Sequence, residues 1–275
     1  MLLIKTIILG IVQGLSEFLP ISSSGHLVLL QKIMNMPETG LLLEILLHIG
    51  SLVAVVAVFW DDWLKMLRHL FTSKPVRLLI VATVPAVIAT LLFGDLLEKA
   101  FGGWFLGISF LITSALLLSS GWLARRATHG GRRRRSGIED MRYSQALAMG
   151  AMQAVAIVPG ISRSGSTIVG GLAAGVSRQT AAKFSFMMSA VATMGSLVFK
   201  GKELLEGGGV AFEGGWGAIL LGMVAASVSS YFAIRWMLKL LQRVSLKWFG
   251  VYTAILGGLV LLDQLFFGLF FDKIL

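Results

Sequence analysis

A chain of 275 residues that is 56 % hydrophobic and only 14 % charged is too apolar for a soluble domain, in which about a quarter of the residues carry charge. The absence of cysteine excludes disulfides and thiolate chemistry, and the four histidines form no HExxH pair. The net charge of +10, from 24 Lys and Arg against 14 Asp and Glu, could suggest nucleic acid, but the basic residues lie in short stretches between apolar blocks, the pattern of loops on the cytoplasmic face of a membrane.

In chain order, residues 1–9 resemble the start of a secretory signal, yet the Gln, Glu and serine cluster running to His26 does not fit a cleaved leader. Residues 5–30 read instead as a helix, a break at Pro20, a Ser/Gly turn and a second helix starting near Ser24. Crossings are then expected at about 41–60, 76–95 and 104–124, because a helix needs roughly 20 apolar residues to traverse the hydrocarbon. Glu44 and His48 share one helix face in the first of these. Such a pair either faces protein or water, or sits near the interface and snorkels. Pro85 removes a backbone donor inside the second crossing.

The connection 125–142 is dense in arginine, with an unbroken run at 132–135. Residues 143–180 read again as helix, break and helix, now broken at Pro159-Gly160, and three further crossings are expected at about 184–200, 215–236 and 248–269. Lys65, Arg68, Lys74 and Arg77, like Arg235, Lys239, Arg243 and Lys247, fill alternate connections. The remaining connections, with Asp95, Glu98 and Lys99 or Lys200, Lys202, Glu203, Glu206 and Glu213, have a slight acid excess. Both chain ends are therefore expected outside and 125–142 in the cytoplasm.

The two helix-break-helix segments match at one constant offset. Gly10 falls on Gly150, Gln13 on Gln153, and Ile21-Ser22-Ser23-Ser24-Gly25 on Ile161-Ser162-Arg163-Ser164-Gly165. Three crossings separate them, so their orientations should be opposed, and broken helices are tolerated at membrane depth only where protein or a polar cavity covers the freed backbone groups. The expected fold is an all-α polytopic membrane protein, one domain over 1–275. It has six transmembrane helices and two re-entrant helical hairpins, about ten helices in all, in inverted-topology repeats 1–124 and 143–275 joined by 125–142.

Gln13 and Glu17 meet on one face of the first short helix, and the serines follow where the next helix starts, so that hydroxyls and free N–H groups form an anion site. The second segment supplies the same arrangement plus Arg163, which can hold phosphate bidentately. A pocket for a phosphate-bearing substrate would draw on Gln13, Ser22, Ser24, Gly25, Ser162, Ser164, Gly165, Ser166 and Thr167. Plainer readings stand beside these. Ser22 or Ser24 caps a helix, Glu17 pairs with Arg163 structurally, Gln13 and Gln153 pack between hairpins, and His26 donates to a backbone carbonyl.

The stretches QGLSEFLPISSSGHL and PGISRSGSTI, with LHIGSLVAVVAVF between them, resemble the bacterial undecaprenyl-diphosphate phosphatases of the bacitracin-resistance type, over essentially the whole chain. The resemblance implies an inner-membrane hydrolase that removes the terminal phosphate of the C55 isoprenyl diphosphate carrier and recycles it for peptidoglycan synthesis. It maps the family's acidic element onto Gln13 and Glu17, its catalytic Ser and His onto Ser23 and His26, and its arginine onto Arg163. It also implies a divalent cation, Mg²⁺ or Ca²⁺, for which Glu17 is an available carboxylate. Ser23 at i,i+3 from His26 suggests a nucleophile with its base, while attack by His26 or by water stays open. The expected partners are the polyprenyl diphosphate and membrane lipids, with no nucleic acid; monomer and homodimer are both compatible with the sequence. The site should open laterally, for the tail, and toward the outer water. The competing reading is a polyprenyl-phosphate transporter, which inverted repeats alone would also suit.

Overall fold

The structure, a computed structural model, describes residues 1–36, 40–100, 105–127, 137–206 and 215–271. Their helices are, in order, α1 (Leu2–Phe18), α2 (Ser23–Ile33), α3 (Gly40–Val58), α4 (Trp60–Arg68), α5 (Lys74–Ala100), α6 (Leu106–Ala127), α7 (Tyr143–Val155), α8 (Arg163–Ala173), α9 (Arg178–Glu206), α10 (Gly215–Arg243) and α11 (Lys247–Leu262). Among the described residues, five segments are long and apolar enough to cross a membrane: Lys74–Gly94, Leu106–Ala127, Arg178–Val198, Gly215–Arg243 and Lys247–Phe267. The bent α3–α4 pair makes a sixth. The chain is thus an all-α multi-pass membrane protein, and large apolar side chains such as Leu91, Leu92, Phe232 and Ile255 stand exposed on its outside, as a lipid-facing surface requires. Pro85 lies within α5 without ending it. The arginine run at 132–135 and the stretch 207–214, expected in opposite loops, lie outside the described residues.

The crossing expected over about 41–60 is α3. At its end, after Val58, the chain turns through 79° into α4, a helix the sequence reading did not separate. Asp61 and Asp62 occupy the first turn of α4, Lys65 and Arg68 the last. Those charges complement the helix dipole but cannot follow α3 through hydrocarbon. With α4 added, eleven α-helices occur among the described residues rather than about ten.

The short helices α1, α2, α7 and α8 occupy the two segments expected from the internal match. α1 packs along α10, and α7 along α5, so each half's first helix lies against the other half's long helix. Small residues allow that approach. A Cβ on Gly10 would collide with the backbone of Gly222, and one on Gly150 with the backbone of Ala82. Close backbone contact of this kind supplies dispersion where lipid gives no hydrophobic incentive to associate. α6 and α11 pack together across the halves, with Ser114 Oγ donating to the Gly250 carbonyl at 2.7 Å.

Candidate active site

Both breaks fold by the same local chemistry. Pro20 cannot continue α1, and Gly160 at φ +86° turns the chain after Pro159. Ser22 then caps α2, its hydroxyl accepting from Gly25 N–H at 3.3 Å, and Ser162 caps α8, accepting from Gly165 N–H at 3.0 Å. The next serines join the two turns. Ser24 Oγ accepts from Gly160 N–H at 3.3 Å, and Ser164 Oγ donates to the Leu19 carbonyl at 2.9 Å.

The turns differ in strain. Ser22 sits at φ 72°, a left-handed conformation unusual for a residue with a Cβ, whereas Ser162 has an ordinary φ of −68°. The second turn is also clamped by α6. Thr113 Oγ1 accepts from Ser162 N–H at 2.9 Å and donates to the Gly160 carbonyl at 3.4 Å.

Glu17, 6 % exposed, is the centre of the arrangement. Its Oε2 accepts from Gln13 Nε2 at 3.1 Å and from Ser23 Oγ at 2.6 Å, while Oε1 is paired with Arg163. His48 Nε2 stands 3.6 Å from Oε2. One carboxylate therefore gathers residues from α1, α2, α3 and α8. The Arg163 guanidinium, the two neutral donors and the neighbouring imidazole offset the cost of removing its charge from water.

His26 is held elsewhere. Its Nδ1 donates to the Ser22 carbonyl at 2.7 Å, which fixes the tautomer, and its Nε2 faces the Tyr252 hydroxyl at 2.8 Å. Tyr252 of α11 stacks on the imidazole with ring centroids 5.7 Å apart, and Phe110 of α6 meets its edge at 5.5 Å. The expected hydrogen bond from Ser23 to His26 is thus not formed. The i,i+3 spacing allows it, but the Ser23 hydroxyl turns to the nearby carboxylate.

The remaining sequence-derived residues fall into two groups. Ser23, Ser24 and Arg163 are only partly buried, so a ligand can reach them. Ser162, Ser166 and Thr167 are fully enclosed, and Thr167 Oγ1 bonds Arg163's carbonyl at 2.8 Å and Ser185 Oγ at 2.6 Å. The N–H groups of Gly25 and Gly165, expected to hold an anion, are engaged by their own caps. Gln153 is buried, and both of its side-chain polar atoms lack a protein partner. At the position matching Glu17 the second half has Ile157, so Gln153 has no counterpart of the Gln13–Glu17 bond.

Two residues of the site were not assigned to it from the sequence. His48 carried a signal, as a histidine in an apolar block four residues from Glu44; its Nδ1 in fact donates to the Glu44 carbonyl at 2.7 Å, aiming Nε2 at Glu17. Tyr252 carried none, being one aromatic residue in an otherwise ordinary crossing.

Residues 6–259 match the family described as bacitracin resistance protein BacA. The chain belongs to the BacA family. Curated relatives agree over nearly full length. The undecaprenyl-diphosphatase of Carboxydothermus hydrogenoformans is 41 % identical over 261 residues, 94 % of this chain and 97 % of that protein. That of Alkaliphilus metalliredigens is 40 % identical, covering 95 % and 98 % respectively. Undecaprenyl-diphosphatase 3 of Bacillus cereus (strain ATCC 14579) is 38 % identical, covering 95 % and 97 %. The BacA family match spans both breaks and the Glu17 centre between them.

Proposed function

We propose that this chain hydrolyses undecaprenyl diphosphate to undecaprenyl phosphate and inorganic phosphate, recycling the carrier for peptidoglycan synthesis and so conferring bacitracin resistance. The observation that carries the reading is a serine hydroxyl and an arginine on the two sides of one buried carboxylate, where two helix-starting turns meet, in a chain with undecaprenyl-diphosphatases as near relatives.

Phosphoryl transfer requires an attacking oxygen in line with the leaving group and charge stabilisation on the equatorial oxygens. Ser23 Oγ already points its proton at Glu17, so Glu17 is the base in reach. Attack by Ser23 forms a new P–O bond to the terminal phosphorus and breaks the bridging P–O bond, and undecaprenyl phosphate leaves with the bridging oxygen. Water then cleaves the phosphoserine, releasing inorganic phosphate and restoring the hydroxyl. His26, one turn beyond, offers the Nε2 now facing Tyr252 as base for that water. Arg163, freed from Glu17 as the anion arrives, holds the phosphate oxygens with its planar fork. The competing route is direct attack by water, with the same carboxylate as base.

A divalent cation, Mg²⁺ or Ca²⁺, belongs to this reading. Among the described residues no three His, Asp or Glu side chains cluster, so Glu17 would hold it together with the substrate's own oxygens. When bound it neutralises phosphate charge.

The same reading takes the α1–α2 and α7–α8 hairpins as re-entrant elements of inverted repeats, 1–124 and 143–275, entering from opposite sides. The reciprocal packing of α1 on α10 and α7 on α5 supports it. The basic loops support a cytoplasmic 125–142, with both termini and the site's opening outside.

The direct test is phosphate release from undecaprenyl diphosphate by purified protein. Turnover should appear with wild type and vanish in Glu17→Gln; no release by wild type sinks the proposal. Ser23→Ala separates the routes. Near-wild-type turnover would exclude the phosphoserine, whereas a trapped ³²P-labelled Ser23 would establish it.

A further inference from the structure

His26 enters the proposed hydrolysis as the base for water, and in the structure that base is covered. A backbone carbonyl only accepts, so the contact with the Ser22 carbonyl at 2.7 Å puts the ring proton on Nδ1. In the neutral imidazole Nε2 is then a bare acceptor. The Tyr252 hydroxyl fills that position, donating to Nε2 at 2.8 Å. The lone pair that should take a proton from water is already engaged by a phenol. Water can use it only after the hydroxyl turns away.

The place of Tyr252 in the fold points to what turns it away. On α11, Trp248, Tyr252, Ile255 and Leu259 stand exposed along one stripe at helical spacing, the side of a helix that faces lipid. Tyr252 has the one hydroxyl of that stripe and aims it inward. Two rings lie against His26. Phe110 is fully buried and meets the imidazole edge-on, whereas Tyr252 is 45 % exposed and lies nearly parallel to it, at 13°. Tyr252 is therefore a partition one ring thick between His26 and the bilayer. One turn along, Leu256 of α11 packs with Val28 and Leu29 of α2 against the cluster that includes Phe110, an apolar seam that starts beside the imidazole.

We propose that Tyr252 makes the hydrolysis depend on the lipid tail. Without substrate its hydroxyl masks His26 Nε2. The first isoprene units of the bound carrier, leaving the diphosphate for the bilayer along the seam between α2 and α11, displace the ring and free the base. This rests on the function proposed for the site and names the residue that sets its specificity. Tyr252 touches no reacting atom and acts through His26. After the first step the undecaprenyl phosphate withdraws its head from the phosphorus while its tail still holds the ring aside. The water proton then passes to Nε2, the water oxygen bonds to phosphorus, and Ser23 Oγ leaves with the proton returned from Glu17. A diphosphate with a short tail meets Ser23 and Arg163 but leaves His26 covered. The tail's binding energy is thus expressed in kcat and not only in KM.

Purified wild type, Tyr252→Phe and Tyr252→Ala are compared in detergent by two readouts. The first is acylation of His26 by diethyl pyrocarbonate without substrate, followed at the His26 peptide by mass spectrometry. Nδ1 is held by the Ser22 carbonyl, so the reaction reports Nε2. It should run about threefold faster or more in Tyr252→Phe, which removes the hydrogen bond, and faster again in Tyr252→Ala, which also removes the ring. The second is kcat for undecaprenyl diphosphate against geranyl diphosphate. Wild type should favour the long lipid. Tyr252→Phe should raise kcat for geranyl diphosphate by about threefold or more and stay within about tenfold of wild type on the long lipid, so that the preference narrows. Unchanged acylation in both variants overturns the proposal, and so does an unchanged preference in both. A Tyr252→Phe loss on both substrates as deep as that of His26→Ala overturns it too, by placing the hydroxyl in the chemistry. If wild type releases no phosphate from undecaprenyl diphosphate, the proposed hydrolysis fails, and the acylation rates alone decide whether Tyr252 masks His26.

Discussion

The two hairpins are built alike and equipped differently. Each has a proline-marked break, a serine cap on the third N–H, and a second serine bonded to the other hairpin's turn. Glu17, Ser23 and His26 in the first are matched by Ile157, Arg163 and Ser166 in the second. The first turn is strained at Ser22 and has the hydroxyl, carboxylate and imidazole. The second is relaxed and clamped by Thr113, and brings only the cation. The same frame occurs twice, and the proposed chemistry draws on the positions where the two segments differ.

The largest expected effect tests that division at its centre. Glu17→Gln keeps the size but not the charge, leaving Arg163 without its carboxylate; kcat should fall by roughly 10²-fold or more in a phosphate-release assay. Moving the carboxylate to the second copy, by Ile157→Glu in the same chain, should not restore it, because Arg163 and Ser23 converge only on position 17. Recovery would mean that the copies are interchangeable.

Arg163→Lys comes next. An ammonium retains the charge without the planar pair of donors, and a loss of about tenfold or more in kcat/KM is expected. A variant as active as wild type would reduce the second hairpin's contribution to a point charge.

The aromatic slot of the first hairpin should give graded losses. His26→Ala removes the base assigned to the second step and should cost roughly 10²-fold in kcat. Tyr252→Phe removes only the hydroxyl on Nε2 and should cost less than about tenfold, with the stacking retained. A Tyr252→Phe loss as deep as that of His26→Ala would make the tyrosine part of the chemistry.

The caps provide the smallest contrast, read in stability. Ser162→Ala should destabilise by about 1 kcal/mol, the usual cost of losing a serine cap. Ser22→Ala should cost a similar amount for its bond, with the positive φ still to be held by the alanine. Thermal unfolding of the two variants side by side measures this; a neutral Ser162→Ala would contradict the hydrogen bond at 3.0 Å.

How much of this was legible in the sequence depended on whether the cause was local. Pro20, Pro159-Gly160 and the capping serines announce their turns because proline geometry and caps act within a few residues. The crossings are legible because lipid filters composition over a whole helix. The bend at Phe59 was missed because Trp60 and Trp63 blend into the apolar block before it, although Asp61 and Asp62 mark where it must end. Within the site, the Gln13–Glu17 bond follows from helical spacing, and the Glu17–Arg163 pair from the matched segments. His48 and Tyr252 enter from α3 and α11, and only tertiary packing brings them there. The same packing turned Ser23 from His26, its neighbour along the helix, to Glu17.

The exchange of first helices has a consequence for biosynthesis. α1 leaves the ribosome well before the helix it packs along, α10, which begins at Gly215. At roughly 5–20 residues per second of synthesis, α1 waits on the order of ten seconds or more for that surface, with Gln13 and Glu17 held in or near lipid meanwhile. Arg163, the countercharge for Glu17, also emerges late. The nascent amino-terminal half is therefore a client for whatever shields polar groups at the insertion site, and its final seating must follow rather than precede the synthesis of α10.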